Sequence, residues 1–282
     1  MKIPKSLEPL LQDGLIDEVL GQLMSGKEAE VYVVRCAGEI RCAKAYKEVK
    51  HRSFHKQTQY MEGRKVGSSR RARAMDKHSR FGRKEQESAW QNAEVDALYR
   101  LAAAGVRVPQ PHCFFEGVLL MELVVDSDGA AAPRLNDLHL TALLARQYHR
   151  QLIAEVVRML CAGIVHGDLS EFNVLVAADG PVIIDLPQAI DAAGNNNAGR
   201  LFMRDVDNLA AYFGQFAPEL LTTAYAREIW HLYESGELQA ETTLTGRFEK
   251  SEKAANVHIV LREIEDSRKE ALAREAGRAA VA

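Results

Sequence analysis

The chain has 282 residues, 47% of them hydrophobic and 27% charged, with a formal net charge of −3 at pH 7. That length can bury a substantial core in one large domain or two lobes, and the near-neutral balance gives no overall attraction to a polyanion. Cys36, Cys42, Cys113 and Cys161 form no CxxC pair, which argues against a disulfide frame or zinc site and reads as the reduced thiols of a cytoplasmic protein. No signal-like apolar run follows Met1, and nothing approaches the ~20 apolar residues of a membrane span.

Apolar residues from Leu7 to Leu20 recur at helical spacing and predict a short helix or two turns over 6–20, interrupted by Gly14. From residue 22 the character changes. Residues 22–24, 31–34 and 39–46 read as three antiparallel strands, with a turn at Ala37-Gly38. Between the first two lies Ser25-Gly26-Lys27-Glu28-Ala29-Glu30. Gly26 lets a backbone approach an anion and Lys27 adds positive charge, so this turn is a candidate phosphate lid. Lys44 stands in an otherwise apolar strand. Facing inward it needs a counter-charge and suits a phosphate contact; the alternative is an edge lysine reaching out to solvent.

Residues 50–84 hold twelve Lys and Arg against Glu62 and Asp76, a net +10 that leaves −13 on the rest of the chain. Such a run is either a solvated insertion or an RNA-contacting arm, with Tyr60 and Phe81 as stacking groups. Residues 85–104 carry the stripe Trp90, Ala93, Ala97, Leu98 and Leu101 and predict a helix stopped at Gly105. Glu94 within it is a partner for Lys44 or a solvated carboxylate. After a Pro-punctuated linker at 106–111, strands around 113–115 and 118–123 turn at Glu116-Gly117. Met121-Glu122-Leu123 then leads into an Asp/Gly/Ala loop, which sets a lobe boundary near 124: an N-terminal lobe 1–124 and a C-terminal lobe 125–282. A helix over 139–162, striped by Leu140, Leu143, Leu144, Tyr148, Leu152, Val156 and Leu160, stops at Gly163. Further helices are predicted around 200–216, 218–236 and 251–277.

The chemistry concentrates in His166-Gly167-Asp168-Leu169-Ser170-Glu171-Phe172-Asn173, followed by Ile183-Ile184-Asp185. Residues 174–176 and 181–184 read as a hairpin turning at 177–180, so Asn173 and Asp185 leave neighbouring strand ends on the same side. Two oxygen-bearing side chains so placed suit a hard divalent cation that keeps its waters. Asp168 is then free to act as a base or to orient a hydroxyl. An Asp for the acceptor, with an Asn and a later Asp for metal, is the arrangement of phosphoryl-transfer loops.

Together, the stretch Ser25 to Tyr32, Lys44 with Tyr46, the Trp90…Glu94 helix, Ile164 to Asn173, Ile183-Ile184-Asp185, and Arg204-Asp205 with Asn208 resemble the RIO family of atypical serine/threonine protein kinases. The resemblance runs over roughly 20–215 and is nearer the branch with the Gly-Lys-Glu-Ala-Glu-Val lid. It looks like a compact bacterial or archaeal-type member without an N-terminal winged-helix module. It implies an α+β, two-lobed protein-kinase-like fold, with a small antiparallel-sheet N-lobe carrying one helix and a mainly helical C-lobe.

By that resemblance Ser25, Gly26 and Lys27 form the ATP lid, Lys44 holds the α/β phosphates and Glu94 orients it. Met121 gates the adenine pocket, and the backbones of Glu122 and Leu123 contact adenine. Asp168 is the catalytic residue; Asn173 and Asp185 bind Mg²⁺ or Mn²⁺, and Asp185 is also the position that accepts a phosphoryl group. His166 packs the loop and Asp205 caps its backbone. No Phe-Gly follows Asp185 and no activation segment stands behind it, a segment the family lacks; Asn195-Asn196-Asn197 stands where relatives carry a His-rich stretch. The expectation is an ATP-dependent phosphotransferase, a serine/threonine protein kinase and/or ATPase, with a protein substrate or ribosomal particle as partner in small-subunit assembly. Its rivals are a small-molecule kinase of the aminoglycoside or choline type and a ribonucleoprotein-binding factor using ATP as a switch.

Overall fold

A computed structural model describes residues 3–47 and 80–248, the side chains of 80–91 excepted. Predicted features at 50–79, Tyr60 among them, the Phe81 and Trp90 side chains and the 251–277 helix lie outside the described residues. The chain divides into units Met1–Arg247 and Phe248–Ala282; the first holds the expected N-terminal lobe 1–124 and residues 125–247 of the expected C-terminal lobe.

The N-terminal part is a helix, α1 (Glu8–Gln12), and a five-stranded antiparallel sheet ordered β1-β2-β3-β5-β4. Its strands are β1 (Glu18–Ser25), β2 (Ala29–Cys36), β3 (Glu39–Tyr46), β4 (Pro111–Phe115) and β5 (Val118–Glu122); the helix α2 (Arg80–Ala103) lies between β3 and β4 in sequence. The β2–β3 and β4–β5 turns are formed by Ala37-Gly38 and Glu116-Gly117, all four at positive φ, the backbone that matches the strands' right-handed twist. The helix expected over 6–20 is shorter. Gly14 turns left-handed at φ +68°, the N–H groups of Leu15 and Ile16 fold back onto Leu10 O, and Asp17 N–H joins Arg35 O. Glu18 and Val19 then pair with Arg35 and Val34 of β2, with Leu20 at a shift of register, so strand pairing overrides helical periodicity there. At its start α2 takes in 80–84, the end of the predicted basic segment.

Strand alternation sorts β3 into two faces. Ala43 and Ala45 face α1, in a core with Leu7, Leu10, Ile16, Val34 and Leu120. Cys42, Lys44 and Tyr46 face the other way, toward the cleft.

The helical part comprises α3 (Ala142–Cys161), α4 (Ala198–Phe213) and α5 (Tyr225–Glu234), with short strands β6 (Ile164–Val165), β7 (Val174–Ala177), β8 (Gly180–Ile183) and β9 (Ile190–Asp191). One core runs from Leu98 and Leu101 of α2 through Leu152, Val156 and Leu160 of α3 to Leu201, Phe202 and Phe213 of α4 and Ile229 of α5. It joins the helix of the sheet half to the helical half, which gives the cleft between them a firm back. The stripe expected along α3 is shifted. Thr141 caps the helix by accepting Leu144 N–H, so Leu140 precedes it; Leu143 is 72% exposed, and the buried face is Ala145, His149, Leu152 and Val156. The helix expected over 218–236 is a 3-10 turn, Pro218–Thr222, followed by α5. Among the described residues no helix is long and apolar enough to cross a membrane.

His149 is buried between the rings of Phe213 and Tyr225, and its Nε2 meets no hydrogen-bond partner among the described residues. Burial lowers its pKa from 6.5 to about 4. The unfolded chain therefore binds a proton here that the folded chain refuses. Stability from this group is full above pH 6.5 and is lost as pH falls toward 4, by up to about 3 kcal/mol. His149→Leu should flatten the fall in urea-unfolding free energy between pH 6.5 and 4 by that amount while changing little at pH 8.

Candidate active site

β3, α2 and the end of β8 meet at a cleft of about 570 Å³. Lys44 enters it from β3. Its Nζ lies 2.5 Å from Glu94 Oε1 and 3.5 Å from Asp185 Oδ1. The Lys44 and Glu94 side chains are 16% and 6% exposed, so the pair is largely withdrawn from water. Burial by itself would lower the amine; the charges of Glu94 and Asp185 outweigh it and hold the amine above its ordinary value. The Tyr46 ring, 5.4 Å from Nζ, adds a cation–π contact.

Asp185 presents a half-exposed carboxylate to the cleft. Its φ is +67°, a left-handed backbone that costs a non-glycine residue about 1–2 kcal/mol. The other described non-glycine residues with positive φ, Ala37 and Glu116, sit in hairpin turns; Asp185 does not. Its neighbours hold it there: Ile184 N–H donates to Asn173 O, Ile184 O meets His166 Nε2 at 3.1 Å, and Leu186 is buried. Asn173 ends a 3-10 turn just before β7. Its Nδ2 donates to Asp168 O at 2.8 Å, which leaves the amide oxygen available at the cleft wall. One amide oxygen and one carboxylate are hard donors and too few to complete a shell, so they fit a cation that takes its remaining ligands from water and phosphate, Mg²⁺ or Mn²⁺. Among the described residues no group of three or more His, Cys, Asp or Glu is arranged to hold a metal.

Gly26, Lys27, Lys44, Glu94, Met121, Glu122, Leu123, Asn173 and Asp185 all line this cleft. Ser25 and Asp168 do not. Gly26 closes the β1–β2 turn by donating to Ala29 O, and a Cβ there would stand 3.3 Å from that same carbonyl. The Ser25 hydroxyl is taken by Lys47, whose Nζ lies 3.0 Å from it, 2.9 Å from Gly26 O and 3.2 Å from Glu30 Oε1. At the back, the Glu122 N–H is committed to Gln110 O and its carboxylate to Arg107, so Glu122 has no backbone donor left for a base. Asp168 stands on the loop just outside the cleft, about half exposed.

A family model of the RIO domain matches residues 30–226. The chain belongs to the RIO-domain family. It is 32% identical over 207 residues to the RIO-type serine/threonine-protein kinase Rio1 of Haloferax volcanii, covering 72% of this chain and 66% of that one. It is 30% identical over 210 residues to the Methanocaldococcus jannaschii protein of the same name, covering 74% and 67%, and 30% identical over 215 residues to human serine/threonine-protein kinase RIO1, covering 76% and 36%. The match thus spans about two thirds of the archaeal relatives and little more than a third of the human one.

The loop of this RIO-family chain is fastened from below by α4. Asp205 accepts the N–H of Gly167 at 2.7 Å and of Leu169 at 3.1 Å, Asn208 Nδ2 donates to Leu169 O, and Arg204 donates to Gly167 O. Burial pushes the Asp205 carboxyl up to about 6, against the pull of His166 and the two N–H donors. His166 is buried and packs the loop against Ile184. Three site residues escaped the sequence reading. Lys47 pins the lid, and Gln188 donates to Asp168. Arg107 donates to Glu122 from both terminal guanidinium nitrogens and to Asp179 from Nε, bridging the end of β5 to the β7–β8 turn. Lys47 alone carried a signal, as a lysine just past the strand end that faces the lid. Arg107 carried none, because its partners lie 15 and 72 residues away.

Removing one partner of the buried pair leaves the other charge uncompensated. Glu94→Leu should cost about 3 kcal/mol in urea unfolding, softened by Asp185 at 3.5 Å. Lys44→Met with Glu94→Leu should cost clearly less than the sum of the single changes.

Proposed function

We propose that this chain is an ATP-dependent phosphotransferase of the RIO type, acting as a serine/threonine protein kinase. The observation that carries the proposal is the Lys44–Glu94 pair standing across one cleft from Asp185 and Asn173. A cation held by its counter-charge faces two hard oxygen donors, which is what a triphosphate and its metal require. The Rio1 relatives are named as serine/threonine-protein kinases, in support.

In this reading Lys44 binds phosphate oxygens and Glu94 fixes its direction. Gly26 and Lys27 cover the phosphates. Asn173 and Asp185 hold Mg²⁺ or Mn²⁺, which supplies charge neutralisation at the transferring group. Asp168, tied to Asn173 through its own carbonyl, orients the acceptor hydroxyl or water for in-line attack. Asp185 is also the position proposed to take the phosphoryl group as an aspartyl-phosphate.

One observation favours ATP hydrolysis as a second reading. The chain passes from Asp185 through the two-residue β9 to α4 at Ala198, with no room for a long peptide-docking segment. A switch that hydrolyses ATP while bound to a ribosomal particle in small-subunit assembly fits that economy, with the basic segment 50–84 as an RNA-contacting arm. A cytoplasmic setting suits the four free cysteines.

Asp168→Asn should lower ATP turnover by about 10²-fold or more while the thermal shift given by Mg·ADP persists; Asp185→Asn should lose the Mg²⁺-dependent part of that shift. Full turnover in Asp168→Asn contradicts the assignment. Label from γ-phosphate-labelled ATP that hydroxylamine removes and Asp185→Asn lacks supports the covalent route. Turnover stimulated by amino-sugars or choline selects the small-molecule reading, and turnover changed by small ribosomal subunits selects the switch.

A further inference from the structure

The mechanism above uses Asp168 but leaves open what aims it. Gln188 Nε2 donates to Asp168 Oδ2 at 3.0 Å, while Oδ1 faces Arg204 Nη2 at a looser 3.9 Å. Arg204 is drawn off by its bond to Gly167 O, so Gln188 makes the closer contact with the carboxylate.

Backbone structure places Gln188 there. Ala189 N–H closes a turn onto Leu186 O, and Leu186 and Ala189 are both buried. The next residues form β9, which pairs with β6 as Val165↔Ile190 and Ile164↔Asp191. Gln188 thus lies two residues before β9, and Gly167, the neighbour of Asp168, two residues after β6. Gly167 is itself clamped by Asp205. The backbones at both ends of the Gln188–Asp168 bond are therefore anchored, one by the Leu186–Ala189 turn and the start of β9, the other by Asp205 beneath the loop.

A half-exposed carboxylate turns easily about its last torsion, and its two oxygens are then interchangeable. An amide donor on one oxygen ends that equivalence and sets the carboxylate plane. We propose that Gln188 is the positioning residue for Asp168: its amide holds Oδ2 and leaves Oδ1 to meet the acceptor hydroxyl or water. The inference rests on the acceptor-orienting role of Asp168 proposed above. It also ties the acceptor side to the phosphate side, because the segment that carries Gln188 begins at Asp185.

The test is steady-state ATP turnover of the full chain with Mg²⁺, in wild type, Gln188→Leu, Gln188→Glu, Asp168→Asn and the Gln188→Leu/Asp168→Asn double variant, beside thermal unfolding with and without Mg·ADP. Gln188→Leu should lower kcat by about tenfold, with the KM for ATP and the Mg·ADP shift unchanged. On the Asp168→Asn background it should change turnover less than about twofold, since nothing remains to aim. Gln188→Glu keeps the size but faces Asp168 with a second carboxylate, and should fall at least as far as Gln188→Leu. An unchanged kcat in either single variant, an equal loss on both backgrounds, or a loss confined to KM overturns the inference. Should Gln188→Leu fail to fold, Gln188→Glu decides by the same criterion. Wild-type turnover that does not depend on Asp168 overturns the functional reading itself, and this inference with it.

Discussion

A lysine amine inside a sheet has to find a negative charge, because an isolated buried ammonium is too costly to leave in place. Lys44 finds Glu94, and that requirement orients much of the molecule. With Glu94 turned toward β3, Val95, Leu98 and Leu101 of α2 are carried into the core shared with α3 and α4. One ion pair thus links the placement of the sheet, its single long helix and the helical half. A buried pair is weak evidence for net stability, since desolvation offsets most of the attraction. Its value here lies in direction: the amine is held rigid and aimed at the cleft, with Asp185 as a third, looser neighbour.

The two sides of the cleft are held very differently. Below, the 166–173 loop is fixed by Asp205, Asn208 and Arg204 from a 16-residue helix, by His166 against Ile184, and by pairing of β6 with β9. Such a scaffold keeps reacting groups within the narrow tolerance that phosphoryl transfer needs. Above, β1 is exposed along most of its length, breaks register twice against β2, and has its turn pinned by Lys47. A rigid floor under a lightly held lid suits a site that must admit and release a nucleotide. Arg107 joins the two at the rear, where Glu122 and Asp179 share its guanidinium. Burial would raise the Glu122 carboxyl, but Arg107 and the Gln110 N–H hold it below its usual range.

Much of this could be read from the residues in order. Lys44 stood out as a charge in an apolar strand, Ala37-Gly38 and Glu116-Gly117 announced their hairpins, and the hairpin after Asn173 brought that residue to the same cleft as Asp185. Other features were hidden for a physical reason. Residues 18–20 look helical because helical spacing is a local property, yet Glu18 and Val19 are claimed by β2 and Leu20 falls at a shift in that pairing. Leu143 looks like part of a core stripe, but the face α3 buries is set by α4 and α5, and Leu143 falls outside it.

The sequence by itself determined the chemistry on hand: a lysine in an apolar strand, a helix carboxylate, an Asp–Asn loop and a following Asp, each recognisable from side-chain type and short-range spacing. Only the tertiary structure decided which of these meet. It put Ser25 on Lys47, took the Glu122 N–H away to Gln110, set Asp168 outside the cleft lining and gave it Gln188. Local periodicity states which way a side chain faces. Which group stands opposite depends on packing between segments far apart in the chain, and no short-range pattern encodes that.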